Sequence, residues 1–491
     1  VVVVALKVTF VYPDFFQYPD GTFMPEGRIY LGIAYLSAVL KQAGHSTSLV
    51  HVVAPPEREW LVDRVRSESP DLVGFSSTTH MFRHVARWAG WLREECEVPT
   101  VCGGVHPTIA PGEVTRTRGI DIACRGEAEE TLVELCDAME AGRDYSSIPG
   151  LCFQSNGELV ANPVRPLVTD LDSLPFPDRS IFDPSNFCPD QHPRGTLMAS
   201  RGCPFNCTYC SNHAQKSVYP NPECYVRFRS PENVVAEIEQ MVAGDSRIEF
   251  IRFDDDILTV DRDWFSRLSE LYRARVGMPF ICNSRVNYTD RRMARALAEM
   301  GCRVVCMGIE SGNPWMREKV LGRHMSNHRI AEAFAACRDS GMKTVSTNMF
   351  SLPFEDASMV LDTIKLNAAC HPDTIQVSTF IPYPATELFR VCEESELLEG
   401  DRVDSIFEGR SPLKQTGSGW ESAALKSNFH TLAYTYCRLD DLGNDLLGRA
   451  VSRFLDSLVL SKRIPSGARK WALDIVTRWA AGRFQPEWIK Y

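Results

Sequence analysis

The feature that most limits the fold is an alternation of short apolar runs with segments of helical period, which occurs twice along the 491-residue chain. In the first series, residues 7–12, 48–53, 71–76, 100–103 and 120–124 are apolar runs of strand length. Residues 29–43, 58–67, 84–95 and 129–142 carry helical spacing around them. This alternation, with short loops, predicts parallel strands joined through helices, that is, a doubly wound α/β sheet. Ligands of such sheets sit outside the carboxyl ends of the strands. That directs attention to the polar ends Ser76-Ser77-Thr78-Thr79 and Gly103-Gly104-Val105-His106.

Residues 148–187 interrupt the series with Pro149-Gly150, Asn162-Pro163 and Leu174-Pro175-Phe176-Pro177-Asp178. Proline at this density breaks helices and marks a linker. The second series has strand candidates at 196–200, 248–253, 280–285, 304–309, 344–350 and 374–380. Its helix candidates are 231–243, 262–275, 290–300, 327–340 and 359–369. Six strands with helices between them predict a partial (β/α)6 barrel, whose chemistry gathers at the carboxyl ends of the strands. After about residue 391 the alternation weakens. Residues 409–419 read as a loop, and 423–460 and 468–482 as helices, with Trp471 and Trp479 on a buried face.

Composition narrows the function. A formal charge of -10 argues against nucleic acid as a partner, since such binders carry a basic face. No run of 18 apolar residues is present to span a membrane. The opening valine run lacks the basic start and cleavage site of a signal peptide, so the expected location is the cytoplasm. Most of the 17 cysteines, Cys96, Cys102, Cys124, Cys136 and Cys152 among them, are scattered, which reads as reduced buried thiols rather than a disulfide framework.

One cysteine group is tightly spaced: Arg201-Gly202-Cys203-Pro204-Phe205-Asn206-Cys207-Thr208-Tyr209-Cys210, in the first loop of the second series. Iron–sulfur clusters usually take four thiolates. Three at this spacing can hold a [4Fe–4S] cluster with one iron left open to a small molecule. Two alternatives stand beside this: a zinc site completed by His213, and unrelated buried cysteines.

On these residues the chain resembles the radical S-adenosylmethionine superfamily, in the branch with a cobalamin-binding-type domain ahead of the barrel. The resemblance covers about residues 7–388. It implies a Rossmann-like domain over 1–147, a linker over 148–190, the radical barrel over 191–390 and a mostly helical region over 391–491. It further implies that the open iron of a cluster on Cys203, Cys207 and Cys210 chelates S-adenosylmethionine, whose reductive cleavage yields a 5′-deoxyadenosyl radical that takes hydrogen from a small-molecule substrate. The electrons come from a partner such as flavodoxin or ferredoxin.

Tyr209 matches the aromatic beside the adenine. Asp255 or Asp256, in Phe253-Asp254-Asp255-Asp256-Ile257-Leu258, matches a pattern with Phe in place of Leu258. They are read either as acceptors for the cofactor or substrate or as N-caps of the next helix. Arg285 is read as holding the methionyl carboxylate or as a surface ion pair, Glu310 as holding the ribose hydroxyls or as a structural cap, and Ser346, Asn348 and Gln376 face the same cavity if strand parity, which the sequence does not fix, turns them that way. Thr78, Thr79, Gly103, Gly104 and His106 match positions near cobalamin. The D-x-H-x-x-G cobalt-ligand motif is absent, and His80 is read mainly as a solvated loop residue. Two enzyme readings follow: cobalamin-dependent C-methylation, or cobalamin-free dehydration of an aminoglycoside-like sugar with a vestigial first domain. A non-catalytic zinc or cluster protein is the third.

Overall fold

The computed structural model describes residues 5–17, 21–25, 29–187, 194–399 and 411–414, with single positions between 429 and 456. The chain divides into two compact units, one on Val1–Ile248 with Pro382–Arg390, the other on Glu249–Ile381 with parts of the later chain. The expected helices over 423–460 and 468–482 and the loop over 409–419 lie largely or wholly outside the described residues.

The first unit is built on β1 (Lys7–Pro13), α1 (Leu31–Gln42), β2 (Ser46–Val52), α2 (Arg58–Glu68), β3 (Leu72–Ser76), α3 (Phe82–Glu95), β4 (Thr100–Gly103), α4 (Val105–Ile109), β5 (Ile122–Cys124) and α5 (Glu129–Glu140). The strand order is β2-β1-β3-β4-β5, all parallel, as the alternation predicts. Strand parity sends side chains to two cores, because successive residues of a strand face opposite sides. Val11, Val73, Phe75 and Cys102 pack with Trp88 and Leu92 of α3. Val8, Phe10, Leu72 and Val101 pack with Ile33 of α1 and Leu132 of α5.

The segment read as a linker differs from expectation. It opens with β6 (Leu151–Ser155) and β7 (Glu158–Ala161), a hairpin turning at Asn156 and Gly157, which adds two antiparallel strands to the sheet edge. Proline marked the wrong stretch because Pro149 and Pro163 flank the hairpin rather than interrupt it. Beyond it, β8 (Arg194–Leu197), β9 (Ser200–Arg201), β10 (Arg227–Phe228) and α6 (Pro231–Gly244) also belong to the first unit. Buried ion pairs explain this. Glu237 of α6, with its side chain 1% exposed, takes both Arg179 and Arg229.

The second unit holds five parallel strands in chain order: β11 (Phe250–Phe253), β12 (Phe280–Ser284), β13 (Cys302–Glu310), β14 (Lys343–Phe350) and β15 (Thr374–Thr379). Between them run α7 (Arg262–Arg275), α8 (Arg291–Met300), α9 (Asn327–Asp339) and α10 (Ala357–Cys370). Each begins at a side-chain cap that accepts a backbone N–H otherwise left without a partner: Asp261, Asp290, Ser326 and Asp356 in turn. The described residues are thus α/β, with a doubly wound domain followed by the strands and helices of a partial barrel. Among the described residues no helix is long and apolar enough to cross a membrane.

Candidate cofactor sites

The first sheet carries a cavity of about 190 Å³ at the carboxyl ends of its strands, on the α1 and α5 face. Phe10, Gly74, Ser76, Val101, Gly103 and Cys124 form the strand side, and Tyr35 and Leu132 the helix side. The space exists because glycines stand where side chains would fill it. A Cβ at Gly74 would lie 3.0 Å from the Phe10 ring, its partner in register. A Cβ at Gly103 would meet nothing closer than Cys124, at 3.9 Å, and a longer side chain there would grow into the opening. Gly104 has φ +105, and a Cβ there would lie 2.8 Å from the Ser77 carbonyl oxygen, so the loop turns into α4 only with glycine at that position.

Of the residues expected near cobalamin, Gly103 and Gly104 line this cavity, and Thr78, Thr79 and His106 do not. His106 is fully buried and spends Nδ1 on Thr79 Oγ1 at 3.3 Å, with its ring 4.3 Å from that of Phe82. His80 is half-buried rather than solvated. Its Nδ1 meets no hydrogen-bond partner among the described residues, and burial pushes its pKa down to about 4. Sequence reasoning missed Gly74, Gly126, Tyr35, Glu127 and Glu129. The Gly126-Glu127 pair after β5 was legible as a third polar strand end.

The cysteine loop leaves β9 through Gly202 at φ +87, where a Cβ would collide with the Tyr225 carbonyl. Cys207 is buried, Cys203 and Cys210 are half-buried, and none of the three is in a disulfide. The Cys210 N–H donates to the Cys207 carbonyl at 3.1 Å, and the Leu388 N–H donates to Thr208 O at 2.9 Å, which fastens the second half of the loop. Tyr209, between the second and third cysteines, is half-buried. Near Cys210, burial pushes the Tyr383 hydroxyl up to about 12. A three-thiol donor set on one short loop suits a cluster with an open iron.

In the second unit the strand ends are polar and charged. Asp255 is buried, and its carbonyl accepts from Asn283 Nδ2 at 3.0 Å; Asp256 is exposed. Neither caps the following helix. Asp261 does, accepting from the Asp263 and Trp264 N–H groups, which removes the capping alternative for Asp255 and Asp256. Arg285 follows β12 and is buried, with Nε donating to Asn287 Oδ1 at 3.3 Å.

Glu310 ends β13 in the left-handed region, φ +63. Its carboxylate folds back over Gly308, the one residue type that leaves room for it. Burial raises its pKa against the opposing pull of Arg323, the Thr347 hydroxyl and Arg285. Ser346 and Asn348 depart from the expected cavity. The Ser346 hydroxyl donates to Asn367 Oδ1 of α10 at 2.6 Å, and Asn348 shares that network, so both face the helix layer. Thr347, one residue on, faces the other way and donates to Glu310 Oε1 at 3.2 Å. Gln376 pairs in register with Thr347 and is exposed.

Comparison with known proteins bears on both parts of the chain. A model of the B12 binding domain matches residues 29–136, and a model of the radical SAM superfamily matches residues 197–366. An uncharacterized methyltransferase of Pyrococcus horikoshii is 30% identical over 374 residues, 75% of this chain and 79% of that protein. The anaerobic magnesium-protoporphyrin IX monomethyl ester cyclase of Rubrivivax gelatinosus is 25% identical, over 82% of this chain and 71% of its own. Among solved structures, the cobalamin-dependent radical enzyme OxsB, with aqua-cobalamin and S-adenosylmethionine bound, superposes with a TM-score of 0.69 at 16% identity. That match covers 99% of this chain and 76% of the other, and the likeness is one of fold. The chain belongs to the radical S-adenosylmethionine superfamily, in the branch that carries a B12-binding domain. It is an enzyme whose cofactors are a [4Fe–4S] cluster, S-adenosylmethionine and cobalamin.

Proposed function

We propose that this enzyme is a cobalamin-dependent radical methylase acting on carbon in a small molecule, with Cys203, Cys207 and Cys210 as the cluster ligands. The observation that carries the reading is the glycine-floored cavity at the ends of the first sheet. In a vestigial module, side chains would have been free to close it. When bound, the cluster supplies the electron that splits S-adenosylmethionine and cobalamin supplies the transferred methyl group.

The protein's own residues bind and orient. The three thiolates leave one iron open, and Tyr209 borders the adenine. Arg285 offers a guanidinium to the methionyl carboxylate, and Asp255 and Asp256 accept from its ammonium group. Glu310, half-buried and accepting from Thr347, gains from two ribose hydroxyls. Thr347, with Gln376 beside it, takes the place expected of Ser346. Gly103 and Gly104 admit cobalamin, while Thr78, Thr79 and His106 brace the loop beneath them. The domains run over 1–147, joined by the hairpin to 161, then a linker to 190, the barrel over 191–390 and the region after it. A flavodoxin or ferredoxin supplies electrons in the cytoplasm.

A second reading has specific support: the relative from Rubrivivax gelatinosus is named as a cyclase, so a radical outcome without methyl transfer is the rival. Incubating reconstituted protein with S-adenosylmethionine and dithionite, with and without cobalamin, separates the two. S-adenosylhomocysteine that appears only with cobalamin supports the methylase. 5′-Deoxyadenosine without S-adenosylhomocysteine, in the presence of bound cobalamin, favours the rival. Neither product from protein holding a full cluster would sink both.

A further inference from the structure

We propose that Arg201 is a positioning residue that ties the cavity of the first sheet to the cysteine loop, so that cobalamin and the cluster each strengthen the other's seat. The inference rests on the cofactor reading above and goes beyond it.

The geometry is local to the first unit. Glu127 and Glu129 follow β5 and line the cavity, as does Arg201 itself. Arg201 spans the two carboxylates, with Nη1 donating to Glu127 Oε1 at 3.0 Å and Nη2 to Glu129 Oε1 at 2.7 Å. Its side chain is 16% exposed, and its guanidinium lies 5.1 Å above the Tyr35 ring, another wall of the cavity. From below, Arg227 grips Glu127 with both nitrogens, Nη1 to Oε2 and Nη2 to Oε1, each at 2.9 Å, and the Val168 N–H donates to Oε2 at 2.9 Å. Arg201 and Arg227 are also paired across β9 and β10. Glu127 is therefore held from several sides and can move little. Glu129 has fewer ties and is the adjustable member.

On the other side, Arg201 is separated from Cys203 by Gly202 alone, and that glycine is pinned against the Tyr225 carbonyl. A shift of the Arg201 backbone therefore passes into the cysteine loop with little slack to absorb it. A ligand in the cavity touches the carboxylates that set the Arg201 side chain; a cluster on the loop fixes its backbone. Two ligands that order the same residue bind cooperatively, and the coupling is reciprocal. Lysine cannot replace Arg201 in this role, because one ammonium does not present the planar fork that spans two carboxylates.

The test is a pair of aquacobalamin titrations on the full-length chain, followed by visible absorption, with the cluster assembled and with it absent. The wild type should bind aquacobalamin about fivefold or more tightly with the cluster in place. In Glu129→Gln and in Arg201→Lys the ratio should fall to one, although both variants still assemble a full cluster by iron and sulfide assay. A wild-type ratio of one overturns the proposal, as does an unchanged ratio in both variants. Should Arg201→Lys fail to fold, Glu129→Gln decides alone, since Glu129 lies outside the cysteine loop. Absence of any cluster or of any cobalamin uptake in the wild type would instead overturn the cofactor reading itself.

Discussion

The first sheet passes from its strand ends into Gly103, Gly104 and Gly126, whereas the second ends in Asp255, Arg285 and Glu310. Both are parallel sheets with helices between the strands, and both place their candidate sites at the carboxyl ends. The first makes room by leaving side chains out, which suits a flat part of a larger ligand held by shape. The second supplies charge and hydrogen bonds, which suits the carboxylate, ammonium and hydroxyl groups of a small ionic cofactor. Glu310 shows what the second solution costs. It is a half-buried carboxyl in a left-handed backbone, accommodated because Gly308 yields space and Arg323, Thr347 and Arg285 offset part of the burial.

The contrast can be broken or sharpened by experiment. The largest effect belongs to neither sheet end but to the loop: replacing Cys203, Cys207 or Cys210 by Ala should remove the cluster absorption and all 5′-deoxyadenosine. Retained product in any of the three would contradict the ligand assignment. Acid should next separate the two units. Burial, with smaller contributions from Arg87, Arg83 and His80, pushes His84 down to about 4. Its folded pKa is thus depressed, and the stability it contributes is present above pH 6.5 and is lost as pH falls toward 4, by about 3 kcal/mol.

Glu310 has the opposite sign. Its folded pKa is raised, so its carboxyl favours the folded state at low pH and penalises it as pH rises. Hydrogen exchange at pH 7 and pH 5 should show protection falling in the segments of the first sheet more than in those of the second. Equal losses would remove His84 as the cause.

Filling the glycine cavity comes next. Gly103→Leu should weaken aquacobalamin binding by about tenfold or more and leave iron content unchanged, read by titration and iron assay. Full-strength binding would show that cobalamin does not use this cavity. The smallest effect tests strand parity. Ser346→Ala should lower stability by about 1 kcal/mol and leave the dissociation constant of S-adenosylmethionine unchanged, while Thr347→Val should weaken that constant. Denaturant titration and equilibrium dialysis would show whether the two effects are reversed.

Much of this was legible in the chain because its signals are local. Apolar runs of strand length and helical spacing between them gave nearly every strand and helix of both series within a few residues, since period and capping depend on near neighbours. Cys203, Cys207 and Cys210 were legible for the same reason: one short loop carries the whole donor set. The hairpin at Leu151–Ala161 was hidden because its prolines sit at the ends of strands. Ser346 was misplaced because parity flips with a one-residue shift in register, and β13 bulges between Gly308 and Glu310, beside the residues in question.

By itself, then, the sequence determined the two α/β series, the triple-cysteine loop and the glycine-rich ends of the first sheet, all properties of residues close together in the chain. Tertiary structure alone decided which strand residues face a cavity and which face a helix, and that Thr347 rather than Ser346 meets Glu310. It also decided that Arg201, beside the cysteines, is held by Glu127 and Glu129 from more than seventy positions earlier in the chain. No local period encodes that meeting. It arises only when β5 and β9 are brought together by folding, and a half-buried arginine must find its carboxylates wherever the packed chain puts them.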